Sequence, residues 1–255
     1  MKGFAISSEV PEAPITFEGA EAATMTLRRL EKWWADECSR DTVWERQANV
    51  DVKWSPVVGD MLPDPEYAVV HVVRGFTEPG TENDVAFHTL DDKGRPVCLI
   101  SWEQVQREGG SLTGPNGLWS AITHEIKEAR IDALCNRTAA LPNDAGRTPI
   151  EVDDWLQGSD YEEPGCPGVF VSNSAGPGFF VAGTVRALGL DIASDVRSPT
   201  VTQAFQETPG GYHEVDHWDG TTSLVFGDRV PGDKADRIRR TGARGGLRRR
   251  VRASK

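Results

Sequence analysis

The chain has 255 residues and a mass of 27.9 kDa; it is 38% hydrophobic and 26% charged, with 26 Gly and 16 Pro, enough to bury one large core or two small ones. No stretch approaches the roughly 18 consecutive apolar residues of a spanning helix, which excludes that class of membrane protein. The formal net charge of -11 hides an asymmetry: the last 19 residues hold nine of the 28 basic side chains and no acid, leaving 19 basic against 39 acidic groups in the rest, a net of -20.

The opening MKGFAISSEVPEAP has neither the basic start nor the apolar run of a secretory signal, so synthesis in a reducing cytoplasm is expected. Cys38, Cys98, Cys135 and Cys166 are scattered without a CxxC pair and are expected to be free thiols. Residues 1–23, nonperiodic and rich in Pro, Gly and Glu, read as an N-terminal arm. Thr24 or Thr26 is the expected cap of a helix reaching about Gln47, with Leu27, Leu30, Trp33, Trp34 and Trp44 as its apolar stripe; one of the adjacent tryptophans should emerge and suit a partner surface. The β-branched runs Val50–Trp54 and Tyr67–Val73 read as strands, and Val85–Leu90 with Pro96–Trp102 as a hairpin turning at DDKG. After GGSLTGPNG an uninterrupted helical pattern runs from about Leu118 to Asn136, and beyond residue 140 the Pro and Gly density predicts irregular chain. The expected architecture is α+β: a domain over residues 24–225, flanked by the arm and by a basic tail over residues 226–255.

On the long helix, Ile122, Ile126, Ala129 and Ala133 form a narrow apolar stripe. His124, Glu125, Glu128 and Asp132 cluster on a second stripe about 120° around from it. The segment is an HExxE pattern. In HExxH, two imidazoles one turn apart hold zinc and the intervening Glu is the general base. A carboxylate in the last position also binds zinc but shifts preference toward harder cations. An acidic, solvated helix face that happens to include a histidine produces the same pattern. Downstream, Glu151, Asp153 and Asp154 in IEVDDW either close a metal site or form a helix cap or solvated turn. His213 and His217 in GGYHEVDHW have a ligand-like spacing, yet follow Pro-Gly-Gly and read as loop. His71 and His88 lie in strand patterns and read as packed or exposed strand residues.

WSAITHEIKEARIDALCNR resembles the SHEVLEMLxDPxGNR signature of a family of tailed-phage virion proteins, related in turn to secreted bacterial proteins with SHELxEAxTDP that look like divergent zincins. Four further segments follow in matching order. VAFHTLDDKGRPVCLISW resembles a GYHxxxxDGRPxAxVxV hairpin, IEVDDW a Glu-Val-x-Asp segment, VFVSNSAGPGFF a VxVSDFxTPxYF segment, and PGGY recurs at Pro209–Tyr212. Together they cover about residues 85–215. The chain departs from the signature at Ala133, where the family has Pro, and at Lys127 and Arg130, where it has apolar residues.

The resemblance implies a zincin-like domain, a mixed sheet with an HExxE-bearing central helix. It places His124 and Glu128 as ligands of zinc or another divalent cation, Glu125 where a catalytic base would stand, and Glu151 and Asp154 as the additional ligands. It further implies a structural component of a virion, assembled in the host cytoplasm among other virion subunits, in the capsid or the tail. One alternative is an active metallopeptidase of virion maturation or host entry, for which Tyr212, His213 and His217 are the candidates to stabilise an oxyanion. Another is a DNA-binding accessory protein, in which Arg237, Arg239, Arg240, Arg244, Arg248, Arg249, Arg250 and Arg252 contact phosphates. The same arginines equally suit an acidic neighbouring subunit.

Overall fold

The computed structural model describes residues 1–38, 50–62, 64–77, 81–180, 205, 206 and 208–227. Residues 228–255, including all eight arginines named above, lie outside the described residues, whereas Phe226, expected to open the tail, ends a strand.

Burial of short apolar runs on both faces is what makes a parallel sheet, and three segments have that character. Strands β1 (Gly3–Ser8), β2 (Asp51–Trp54), β3 (Tyr67–Val73), β4 (Ala86–Leu90) and β5 (Pro96–Ser101) form one sheet in the order β2-β1-β3-β5-β4. The pairings of β1 with β2 and β3, and of β3 with β5, are parallel; only the edge strand β4 runs antiparallel, as the partner of β5 in the expected hairpin. Every residue of β1 is buried, whereas β2, at the other edge, alternates exposed and half-buried. Gly3 permits the tight entry of β1: a Cβ there would lie 1.8 Å from the Asp51 carbonyl oxygen.

Residues 1–23 therefore do not form an arm. They contribute an inner strand and the first turns of helix α1 (Phe17–Cys38). The cap is Thr16, whose hydroxyl accepts the Gly19 N–H at 3.2 Å; Thr24 bonds back to the Ala20 carbonyl and Thr26 is buried against Tyr161. The Pro and Glu residues between Ser8 and Thr16 concealed a three-residue apolar run, Phe4-Ala5-Ile6, too short to register as a strand beside them. Of the tryptophan pair, Trp34 is in the core and Trp33 is half-buried.

Helix α2 (Trp102–Arg107) follows β5 directly, capped by Ser101. Helix α3 (Leu118–Ile131) then packs on α1, β4 and β5. It ends five residues earlier than its apolar pattern suggests, because the Asp132 carboxylate accepts the backbone N–H groups of Asn136 and Arg137, both at 3.0 Å, and turns the chain. Asp132 is thus a chain-turning group and leaves the acidic stripe. Beyond it the chain is less irregular than its Pro and Gly content implies. Strands β6 (Thr138–Ala140), β7 (Arg147–Pro149), β10 (Tyr212–Asp216) and β11 (Thr222–Phe226) pair in the order β11-β10-β7-β6, and β8 (Tyr161–Glu162) pairs with β9 (Phe170–Val171). No described helix is long and apolar enough to cross a membrane.

The crossing of α1 over α3 depends on Gly19, where a Cβ would lie 1.7 Å from the ring of the fully buried Trp119. Ala in place of an exposed helical Gly gains about 1 kcal/mol. Gly19→Ala is expected to lose about 1–3 kcal/mol instead, because the Trp119 ring has no room to yield; a lowered urea midpoint at unchanged m-value is the measurement.

Candidate metal centre

Helix α3 is mostly covered by protein, so its HExxE segment is not a solvated face: His124, Glu125, Lys127 and Glu128 are all buried. Two other elements close on it. The hairpin strand β4 brings His88 against Glu125 and Glu128. The segment after β7 brings Glu151, Asp153 and Asp154, all buried. That segment is held by Trp155, stacked on His213 with centroids 3.8 Å apart and packed edge-on to Phe179, and by the Ala175 N–H donating to the Val152 carbonyl at 2.6 Å.

Glu128 lies at the middle. Its Oε1 accepts the backbone N–H groups of Asp153 and Asp154 at 3.3 and 3.2 Å and stands 3.3 Å from His124 Nε2. Its Oε2 stands 3.5 Å from His88 Nδ1. Asp154 Oδ1 is 3.2 Å from His124 Nε2, and Glu125 Oε2 is 3.3 Å from His88 Nδ1. On the far side of the His88 ring, Nε2 faces Glu151 Oε2 at 4.0 Å. Behind the site, Lys127 Nζ is 3.0 Å from Asp153 Oδ2 and donates to the Ser172 carbonyl, while the hydroxyls of Ser172 and Ser174 donate to the two oxygens of Asp153.

Desolvation and charge oppose each other here. Burial disfavours an imidazolium at His124, but the charge of Glu128 and the hydrogen bond to Asp154 outweigh it and hold the group well above the ordinary histidine range. At His88 burial again acts downward and is outweighed by Cys135, Glu125 and Glu128, so this imidazole is also held well up. Burial pushes the Asp153 carboxyl up to about 6, with the Lys127 and His124 charges limiting the rise. Cys98, whose thiol meets the Glu125 carbonyl at 3.6 Å, is pushed well up by burial.

The donor set fits a divalent cation. The ligand atoms of His124, Glu128 and Asp154 all lie within 4.8 Å of one another. Two ligands about 2.1 Å from a tetrahedral cation are about 3.4 Å apart, close to the 3.2 and 3.3 Å between these groups. One imidazole with two carboxylates suits zinc or a harder cation.

A cavity of about 250 Å³ reaches this group. Its walls include Val85 and Ala86 at the start of β4, together with Ser120, His124, Glu125, Asp153 and Ser172. Among the described residues that line it, His124 is the only basic side chain. Tyr212, His213 and His217 are not among them: their segment is strand β10 and its end, not a loop, with His213 engaged by Trp155 and His217 bonded to Ser223. The expectation that they stabilise an oxyanion is corrected accordingly.

The structure thus brings His124, Glu125, Glu128 and Asp154 together and places Glu151 next to His88 instead of at His124. Two members escaped the reading of the residues. His88 looked like an ordinary strand histidine, although it stands at the His of the GYH hairpin motif that the chain resembles. Lys127, noted only as a departure from the signature, is the counter-charge of Asp153.

Removing one partner of a fully buried ion pair strands the other. Lys127→Met is expected to lower stability by about 3–5 kcal/mol, and adding Asp153→Asn to recover part of the loss, as read by chemical denaturation of both variants.

Searches against family models, curated proteins and solved structures found no match to this chain.

Proposed function

We propose that the chain is a zincin-like, metal-holding domain that serves as a structural subunit of a phage virion. The observation that carries the metal centre is the convergence of His124, Glu128 and Asp154, three buried donors from two separate segments, on one point. The zincin-like assignment is supported by a mixed sheet with one antiparallel edge strand and by the HExxE helix packed beneath it. The virion setting is supported by the five ordered sequence motifs. The basic tail would contact an acidic neighbouring subunit; the acidic body is a poor surface for DNA, which disfavours the accessory DNA-binding role.

A scaffold role is favoured by the cavity walls: among the described residues that line it, His124 is the one cationic side chain near where an oxyanion would develop. A second reading, metallopeptidase, is favoured by one observation, that His124 and Glu125 line the same cavity. The bound cation would supply Lewis acidity and an acidified water. In that case Glu125 accepts a proton through its carboxylate, His88 orients that carboxylate from Nδ1, and the two backbone N–H groups at Asp153 and Asp154 hold Glu128 still.

Metal analysis and a peptidase assay on the purified full chain separate these readings. The expected result is a bound divalent cation, no turnover of unstructured peptides, and Asp154→Asn weakening cation binding by at least about tenfold. Turnover lost in Glu125→Gln with the metal retained would establish the peptidase instead. Mass spectrometry of purified particles tests the virion setting, which fails if the chain is absent from them.

A further inference from the structure

We propose that this pocket holds two divalent cations and not one, with the Glu128 carboxylate bridging them. The inference rests on the cation assigned above to His124, Glu128 and Asp154, and adds a second at His88, Glu125 and Glu128.

The first argument is the orientation of Glu128. Its two oxygens face different histidines, Oε1 toward His124 at 3.3 Å and Oε2 toward His88 at 3.5 Å. Glu125 is divided the same way, Oε2 toward His88 at 3.3 Å and Oε1 toward His124 at 4.0 Å. Carboxylates placed like this suit a pair of cations separated by the roughly 3.5–4 Å of two-metal sites. The ligand atoms of His88, Glu125 and Glu128 lie within 4.8 Å of one another, and their 3.3 and 3.5 Å separations from His88 again match the roughly 3.4 Å edge of a tetrahedral donor set.

The second argument is His88 itself. The residue is 5% exposed, it is wedged among three carboxylates, and its Nε2 has no hydrogen-bond partner, with Glu151 Oε2 standing 4.0 Å away. A metal-ligating imidazole normally donates its second N–H to a carboxylate, which fixes the ring and strengthens the ligand. Glu151 Oε2 is the carboxylate oxygen that faces that nitrogen, 4.0 Å away.

The third argument is charge. Asp153 is neutralised by Lys127, which leaves Glu125, Glu128, Glu151 and Asp154 buried around two imidazoles. Carboxylates crowded this closely around two histidines favour cations among them, and each histidine, flanked by acids, offers a place for one. Because the donors are mostly carboxylate, the pair should accept Mn²⁺ or Fe²⁺ as well as zinc.

The test uses the full chain stripped of metal by a chelator and titrated with Mn²⁺ alone, then with Zn²⁺ alone, each bound equivalent being counted. Two equivalents are expected, and the Mn²⁺-loaded protein should show the spin-resonance signature of an exchange-coupled pair. His88→Gln should bind one equivalent and show the spectrum of an isolated ion. If that variant fails to fold, the count and spectrum of the unaltered chain decide. One equivalent in the unaltered chain, with no coupled signal, overturns the second site and leaves the single-cation reading standing. No bound equivalent of either metal overturns both.

Discussion

Acidic groups buried away from water constrain everything around them. Glu125, Glu128, Glu151 and Asp154 lie in the interior with two imidazoles, and a fifth carboxylate, Asp153, is held there by Lys127. In a low-dielectric interior such groups persist only when each is hydrogen-bonded, paired or bound to a cation. The surrounding architecture supplies the first two kinds of compensation: backbone N–H groups of the Asp153 segment reach Glu128, serine hydroxyls reach Asp153, and the imidazoles stand between the remaining acids. The proposed cations supply the third.

This demand explains several packing choices that otherwise look unrelated. Helix α3 is buried through its HExxE segment, so apart from the cavity at His124 and Glu125 little water reaches the contacts that hold the site in register. The second sheet and the aromatic group of Trp155, Phe179, Phe205 and His213 secure the segment that carries Asp154, although that segment has little regular structure of its own. Gly19 lets α1 lie close over the Trp119 ring and seals the other side. A rigid shell is what keeps several like charges within hydrogen-bonding distance of shared partners instead of splaying apart.

Glu128 joins the local and the long-range parts. It is one turn from His124, so their meeting follows from helix geometry alone. Its contacts with His88 and with the Asp153 and Asp154 amides span a hairpin on one side and a downstream segment on the other. The resulting arrangement fastens three parts of the domain together, and a cavity reaches it at His124 and Glu125.

What could be read from the residues alone was local. The strand Tyr67–Val73, the hairpin around DDKG and the helix beginning at Leu118 follow from β-branched runs, turn residues and 3.6-residue periodicity, all properties of neighbours in the chain. The pairing of His124 with Glu128 belongs to the same class. Tertiary structure decided the rest. Phe4-Ala5-Ile6 became an inner strand because two other strands were there to flank it, and no periodicity in three residues announces that. Lys127 went inside because Asp153 waited for it, which reverses the usual meaning of a lysine on a helix. His88 became a partner of Glu125 and Glu128 through a contact about 40 residues distant, reached only when β4 and α3 pack. Sequence carries the preferences of each segment; whether an ionisable side chain meets water or another charge depends on what folds over it.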